Sequence, residues 1–452
     1  MNIISVEKAT HRIIWCLTVF LLVCFLVFDT YSWGKYVLFI VSALIFVLSS
    51  VPHKGVASIR TGKYQFFLGG FAIYAFASSL WAIDSTDSLV KAKTLFSILI
   101  CFTLIYVYYV ELDNIDSVLR AVMWSGYIVA LYSISFYGLS NMMLASQAAS
   151  ARLNNEYTNI NSIGMACAIS CVIQFSELQY KSKGKWTSIF MIPAIVVIAA
   201  TQSRKALVFA IGGVFALLII KNMDNRDFMK SLIKIVAAVL LAIVAFFVLS
   251  QLDIFSGVTE RMTSLMSAVT GEGKVDSSTM KRNNMISLGI EWWIKNPICG
   301  IGIGNPHIIN ARYMNFDAYL HNNYVELLCG GGIVGLVLYY SMHIYIILNL
   351  IRYRWIDKHD FSICIVWLIL MLSMDYGMVS YYDKTSWFYL MIQFINIQCM
   401  KRKAIECYNG PIISDHSSKN IVNIVKYGNS EKKRQHHDTK NIHNEVQGQA
   451  GH

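Results

Sequence analysis

Charge is what this chain has least of. Asp, Glu, Lys and Arg make up 14% of its 452 residues, against roughly a quarter in soluble domains. So sparse a supply cannot clothe a water-facing surface, and an ordinary soluble globule is excluded. A disulfide or metal framework is missing as well. Of the ten cysteines, Cys16, Cys24, Cys101, Cys167, Cys171, Cys364 and Cys399 fall inside apolar runs, where Cys behaves as a small hydrophobe. Cys299 and Cys329 flank a polar segment, and whether they pair stays open. No His/Cys/Asp cluster has metal-ligand spacing, so no metal and no cofactor are expected. A phosphate-cradling Walker motif is absent, which argues against nucleotide-driven chemistry. No internal repeat stands out, so a repeat-built transporter gains no support. The first apolar run lacks a small-x-small cleavage pattern after it and is expected to be a retained anchor.

What the chain has in excess is hydrophobic residues, at 56%. Runs of about 20 apolar residues suit a hydrocarbon core roughly 30 Å thick. In lipid, each segment must satisfy its own backbone polar groups, which makes helices the default. The expectation is an all-α, polytopic integral membrane protein with about twelve transmembrane helices. They are placed near 13–29, 36–51, 64–82, 94–110, 118–138, 159–178, 189–202, 205–220, 233–250, 325–350, 361–379 and 386–400. Residues 1–400 form the membrane domain, interrupted by a large polar loop at 251–324. Residues 401–452 lose all periodicity, and their basic composition predicts a disordered cytoplasmic tail. The net charge of +11 suits anionic lipid rather than nucleic acid.

Short cytoplasmic loops collect Lys and Arg. Lys54, Arg60 and Lys63 mark one such connection, Lys181, Lys183 and Lys185 a second, Lys221, Arg226, Lys230 and Lys234 a third, and Arg352, Arg354 and Lys358 a fourth. This arrangement puts both termini inside and the 251–324 loop outside. Glu111, Asp113 and Asp116 dissent, being acidic where basic residues are expected.

The outer loop is where chemistry is expected. Its Lys and Arg balance its Asp and Glu six to six, so any anion site must be built from particular cations. Arg282 precedes Met285-Ile286-Ser287-Leu288-Gly289-Ile290-Glu291-Trp292-Trp293-Ile294, which suits an amphipathic interfacial helix. A guanidinium there either chelates phosphate oxygens with its planar fork or is simply solvated. Arg204 and Lys205 interrupt two apolar runs; such cations face a cavity or a partner, or snorkel to headgroups from a helix end. Arg152 falls on the same outer side with the same alternatives. His321 stands immediately before an apolar span and the cluster Gly330-Gly331-Gly332. Imidazole titrates near neutrality and can take a proton from a sugar hydroxyl, which makes His321 the general-base candidate. His307 lies in a looser context.

Three motifs together resemble the O-antigen polymerase and ligase superfamily of bacterial envelope glycan assembly. They are Thr201-Gln202-Ser203-Arg204, Asn296-Pro297 with Gly300-Ile301-Gly302-Ile303-Gly304-Asn305, and His321-Asn322 with Gly332-Ile333-Val334-Gly335. The resemblance covers roughly 190–340. Ser79-Leu80-Trp81-Ala82-Ile83-Asp84 and Asn159-Ile160-Asn161-Ser162-Ile163-Gly164 are similar to weaker patterns of the family. The resemblance implies a metal-independent glycosyltransferase at the outer face of the bacterial cytoplasmic (inner) membrane. Its donor would be an undecaprenyl-pyrophosphate-linked glycan, with Arg204, Arg282 and Arg152 on the pyrophosphate and His321 activating the acceptor. A polymerase of repeat units, with a chain-length-regulating protein as possible partner, is favoured over a ligase acting on lipid A-core. A lipid-linked glycan flippase is the alternative from another class.

Overall fold

The computed structural model describes residues 3–28, 31, 33–50, 62–147, 159–181, 185–223, 233 and 277–409. Among these the chain is helical, with no strand. The first nine helices are α1 (Ile3–Val27), α2 (Gly34–Ser50), α3 (Lys63–Ala77), α4 (Ser85–Leu112), α5 (Ile115–Tyr137), α6 (Leu139–Gln147), α7 (Ile160–Tyr180), α8 (Met191–Thr201) and α9 (Arg204–Asn222). After an interval outside the described residues come α10 (Ser277–Lys295), α11 (Pro306–Met314), α12 (Asn323–Tyr353), α13 (Lys358–Met374) and α14 (Lys384–Asn409).

Every expected span that the described residues cover falls on a helix; the one near 233–250 lies outside them, apart from residue 233. The count of about twelve is not reproduced. Six helices among the described residues are long and apolar enough to cross a membrane, namely those at 7–27, 85–112, 115–137, 160–180, 204–222 and 323–353. The others are shorter or more polar. The first part of α14 shows why: Gln393 and Asn396 are fully buried within it, so this helix faces protein rather than lipid and need not be uniformly apolar. It runs to Asn409, past the boundary at 400 expected for the membrane domain, and the rest of the tail lies outside the described residues.

The helix ends sort by chemistry. At one end of the bundle, Lys181 pairs with Asp116, Arg402 approaches Asp113 at 3.7 Å, and Lys403 reaches Asp357 and Asp360 at 3.1 and 3.3 Å. The dissenting acids Asp113 and Asp116 therefore sit among the basic residues of neighbouring connections, on one face with them. All ten cysteines are free thiols, Cys299 and Cys329 included.

At the other end, α12 is not a single rod. Gly332 takes φ 58° and ψ −165°, and the chain turns back on itself there. Tyr324 and Tyr340, 16 positions apart in sequence, stack at 4.9 Å between ring centroids, which a straight helix cannot do at about 1.5 Å rise per residue. The helix is thus a short limb, 323–331, folded against a long limb, 333–353. Reversal leaves backbone groups open at the tip, and buried groups of that kind need partners. The glycine-rich segment supplies them. Ile301 N–H donates to the Cys329 carbonyl (3.0 Å), Gly302 N–H to Gly330 (2.8 Å), Ile333 N–H to Pro297 (2.9 Å) and Val334 N–H to Ile298 (3.2 Å). The Tyr74 hydroxyl donates to the Gly331 carbonyl at 2.6 Å. A Cβ at Gly300 would lie 2.5 Å from the Gly330 carbonyl, and one at Gly332 would lie 2.2 Å from the Ile298 oxygen.

Candidate functional site

Two further motif pairs turn out to be contact pairs. Ile83 N–H donates to the Ile301 carbonyl at 3.1 Å, and buried Asn305 accepts from Asp84 N–H at 2.6 Å while donating to the Ser88 hydroxyl at 3.1 Å. The 79–84 motif thus holds the glycine-rich loop from its other side. Asn159 caps α7 by accepting from Asn161 N–H at 3.0 Å. One turn later, Gly164 lies where a Cβ would meet Thr201 Oγ1 at 2.7 Å. Close approach of α7 to the α8–α9 break is what requires that glycine.

The break itself follows from local chemistry. Gln202 takes a left-handed conformation that ends α8, and the Ser203 side chain caps α9 by accepting from Ala206 N–H. The Ser cap is ordinary chemistry, whereas a left-handed residue at a helix end is usually Gly, so Gln202 is an exception. Their effect is to start α9 beside a cavity of about 480 Å³. Its wall includes Lys205, Arg282, Tyr319, His321, Asp375 and Asp383. Arg282 reaches it from α10, the helix read from sequence as amphipathic, whose buried side puts Met285 and Gly289 against the 320–325 segment.

Of the four site residues expected from sequence, Arg282 and His321 are brought together on this wall. Arg204, at the start of α9, is partly buried but is not among the residues lining the cavity. The cation that this turn presents is its neighbour Lys205, whose ammonium donates to the Gly377 carbonyl. From sequence, Lys205 shares with Arg204 the alternatives of a cavity, a partner or the headgroups, and the resemblance gives it no part in pyrophosphate binding. Arg152 lies outside the described residues.

His321 is held in an unusual way. Its φ is 56°, a left-handed conformation that non-glycine residues seldom adopt and that clusters at functional sites. Next to it, Asn322 caps α12 by accepting from Val325 N–H at 3.1 Å, and Leu320 N–H donates to Glu326 at 2.7 Å. Buried Asn323 ties the turn to the following loop: its backbone N–H donates to the Asp375 carbonyl at 2.7 Å, and its side-chain oxygen accepts from Ser380 N–H at 2.9 Å. The His321 ring lies 4.2 Å from that of Tyr319. Burial, then the positive charges of Arg282 and Lys205, push its pKa down to about 4. At neutral pH the imidazole is therefore uncharged and able to accept a proton. Burial also raises the Tyr319 hydroxyl, against the pull of Arg282.

His307 is built for something else. Its Nδ1 meets Asp317 and its Nε2 meets Asp87, both at 2.7 Å. Burial opposes its charge, but the hydrogen bonds and charges of the two aspartates outweigh burial and raise its pKa. It straps α11 to α4 and to the segment leading into His321, and it does not line the cavity.

One cluster has the composition of a metal site. Ligand atoms of Asp116, His359 and Asp360 lie within 4.8 Å of one another, at the basic end of the bundle. Lysines meet both carboxylates there. The His359 nitrogens are occupied by Asp360 at 2.9 Å and by Ser176 at 3.1 Å.

Fold and site together define a multi-helix membrane protein with a cavity whose wall carries Lys205, Arg282, Lys384 and a neutral His321. Residues 189–340 match the family model described as O-antigen ligase, and this segment carries Lys205, Arg282 and His321. The match supports membership in the O-antigen polymerase and ligase superfamily, whose members are glycosyltransferase-like enzymes. No curated protein matches the chain.

Proposed function

We propose that this protein is a polymerase of lipid-linked oligosaccharide repeat units, working at the outer face of the bacterial cytoplasmic membrane with both termini inside. The observation that carries the reading is a neutral His321 sharing one cavity wall with Arg282, within the segment that matches the family model. The acceptor hydroxyl attacks the anomeric carbon of an undecaprenyl-pyrophosphate-linked glycan while His321 takes its proton. The bond from the anomeric carbon to the pyrophosphate oxygen breaks, and the lipid pyrophosphate leaves with the electron pair. Cations lining the cavity stabilise that developing charge. Arg282 has the planar fork suited to phosphate oxygens. Arg204 and Arg152 are pyrophosphate ligands by resemblance alone. The sugar is already activated by its leaving group, so no nucleotide is required.

Transfer to lipid A-core is the second reading, favoured by the family model's description as a ligase. Both readings are tested with purified protein and a labelled lipid-linked repeat unit. Chain growth without ATP supports polymerase; translocation with no new glycosidic bond overturns both and leaves a transporter. A deletion strain separates the two: single repeat units on lipid A-core mean polymerase, whereas bare core means ligase.

A further inference from the structure

Lys205 is a cavity cation to which the resemblance gives no role. An ammonium has three N–H donors. One of them goes to the Gly377 carbonyl, a neutral partner that aims the group without cancelling its charge. Asp375, a carboxylate on the same wall, directs its oxygens elsewhere. Oδ1 accepts from the Ser380 hydroxyl at 2.6 Å, and Oδ2 accepts from Tyr340 at 2.8 Å and from Asn323 at 3.4 Å. Oδ2 of Asp383 accepts from the Ser386 N–H and hydroxyl, both at 2.7 Å. Lys205 also stands at the start of α9, a helix of 19 residues, where peptide dipoles add to the positive field. Arg282 shares the wall, as does Lys384, so cations from three helices line one cavity.

We infer that Lys205 binds the diphosphate of a prenyl-linked donor together with Arg282, and that Gly377 is the positioning residue that aims it. The inference rests on the proposed glycan-transfer reading and adds to it the identity of the second cation. Gly377 suits the role because a Cβ there would lie 3.0 Å from Lys205 Cε. An alanine would displace the lysine tip by a few tenths of an ångström while leaving its charge in place.

The test uses the full chain in lipid nanodiscs with farnesyl pyrophosphate as probe, measuring Kd by thermophoresis. Charge-assisted hydrogen bonds contribute about 1.5–3 kcal/mol, so Lys205→Met should weaken binding roughly ten- to a hundredfold. Lys205→Arg should restore most of the affinity. Gly377→Ala should cost a few-fold, and nothing further on a Lys205→Met background, because the two act through one contact. Lys295→Met, which removes an exposed cation paired with Glu291 at 2.7 Å, should bind like wild type and so exclude a general charge effect. Tight wild-type binding that Lys205→Met leaves unchanged overturns the inference while leaving the donor reading intact. A Gly377→Ala loss of equal size with and without Lys205 overturns the aiming role. If the wild-type protein does not bind the probe at all, the donor reading itself fails. Should Lys205→Met not accumulate, wild-type affinity in Gly377→Ala counts against the aiming role.

Discussion

The glycine-rich loop and the cavity lie side by side, and both carry residues that mark the family resemblance, yet their physics differs. Around Gly300, Gly302 and Gly332 the contacts are backbone to backbone, and the space is too tight for a Cβ. Around His321 side chains carry the interactions, the Tyr319 ring at 4.2 Å and the charges of Arg282 and Lys205, and a cavity of about 480 Å³ is left open. The first region satisfies the peptide groups of a helix that reverses inside the protein. The second keeps an imidazole neutral between cations. A recurring motif therefore does not announce chemistry: the longest one here is scaffolding, and a single histidine at the end of the scaffold carries the proposed reaction.

The sharpest way to break this contrast is to remove the imidazole. General-base catalysis contributes about 10²–10⁴-fold, so His321→Ala should lower glycan chain growth by that range. Insertion and thermal stability should stay near wild type. Wild-type growth in membranes with matched protein levels would put the base elsewhere. The pH profile gives a second check. The neutral form is the active one and the pKa is depressed to about 4, so turnover should hold as pH falls through 6.5, the ordinary histidine value, and fail only near 4. An acid limb at the ordinary value would show that burial and the two cations do not act on His321 as described.

Arg282 is next. Losing one donor to a developing anion costs roughly 10²–10³ in rate, and Arg282→Ala should show a loss of that order. Arg282→Lys should rescue poorly because the planar fork is lost. Equal activity of the lysine variant would mean that charge alone matters at this position.

On the scaffold side the expected effect is on stability. Gly332→Ala puts a Cβ 2.2 Å from the Ile298 oxygen at a φ of 58°. Left-handed strain of about 1–3 kcal/mol then adds to the loss of the Pro297 and Ile298 hydrogen bonds, about 1 kcal/mol each. The variant should accumulate poorly or melt well below wild type, in contrast to His321→Ala. If Gly332→Ala folds normally but is inactive, the glycine loop belongs to the chemistry and the comparison is wrong.

How much of this was legible in the sequence follows from what each feature depends on. Helix positions were, because a hydrocarbon-length apolar run is a local property. The reversal in α12 was not: 323–353 reads as one long span, and the left-handed Gly332 is held by contacts from a loop about 30 residues earlier. His321 was legible from its place just before an apolar span, whereas Arg282 stood open between a phosphate ligand and a solvated side chain until the resemblance singled it out. Lys205 was not distinguished from Arg204, since neighbours on a helix diverge by about 100°, and which one faces the cavity depends on where the Gln202 turn starts α9. The motifs were visible, but the glycine-rich loop meets 74–84 and the 201–204 turn meets 159–164, segments far away in the chain that only packing joins.

The smallest expected effect concerns His307, which tests whether the strap beside the cavity matters to the base. One imidazole donating to two carboxylates needs both nitrogens protonated. Neutral His307 would leave one lone pair facing Asp87 or Asp317. Because its pKa is raised, the strap is complete below the unfolded value of about 6.5 and is lost as pH rises through the higher folded value. His307→Ala should thus cost only a few-fold in chain growth at neutral pH, far less than His321→Ala, since the turn at His321 keeps its bonds through Asn322 and Asn323. Wild type should lose thermal stability on the alkaline side, and the variant should lack that part of the slope. Melting curves of both proteins across pH 6 to 9 in one detergent would decide it, and parallel curves would reduce the two aspartate contacts to surface pairing of little consequence.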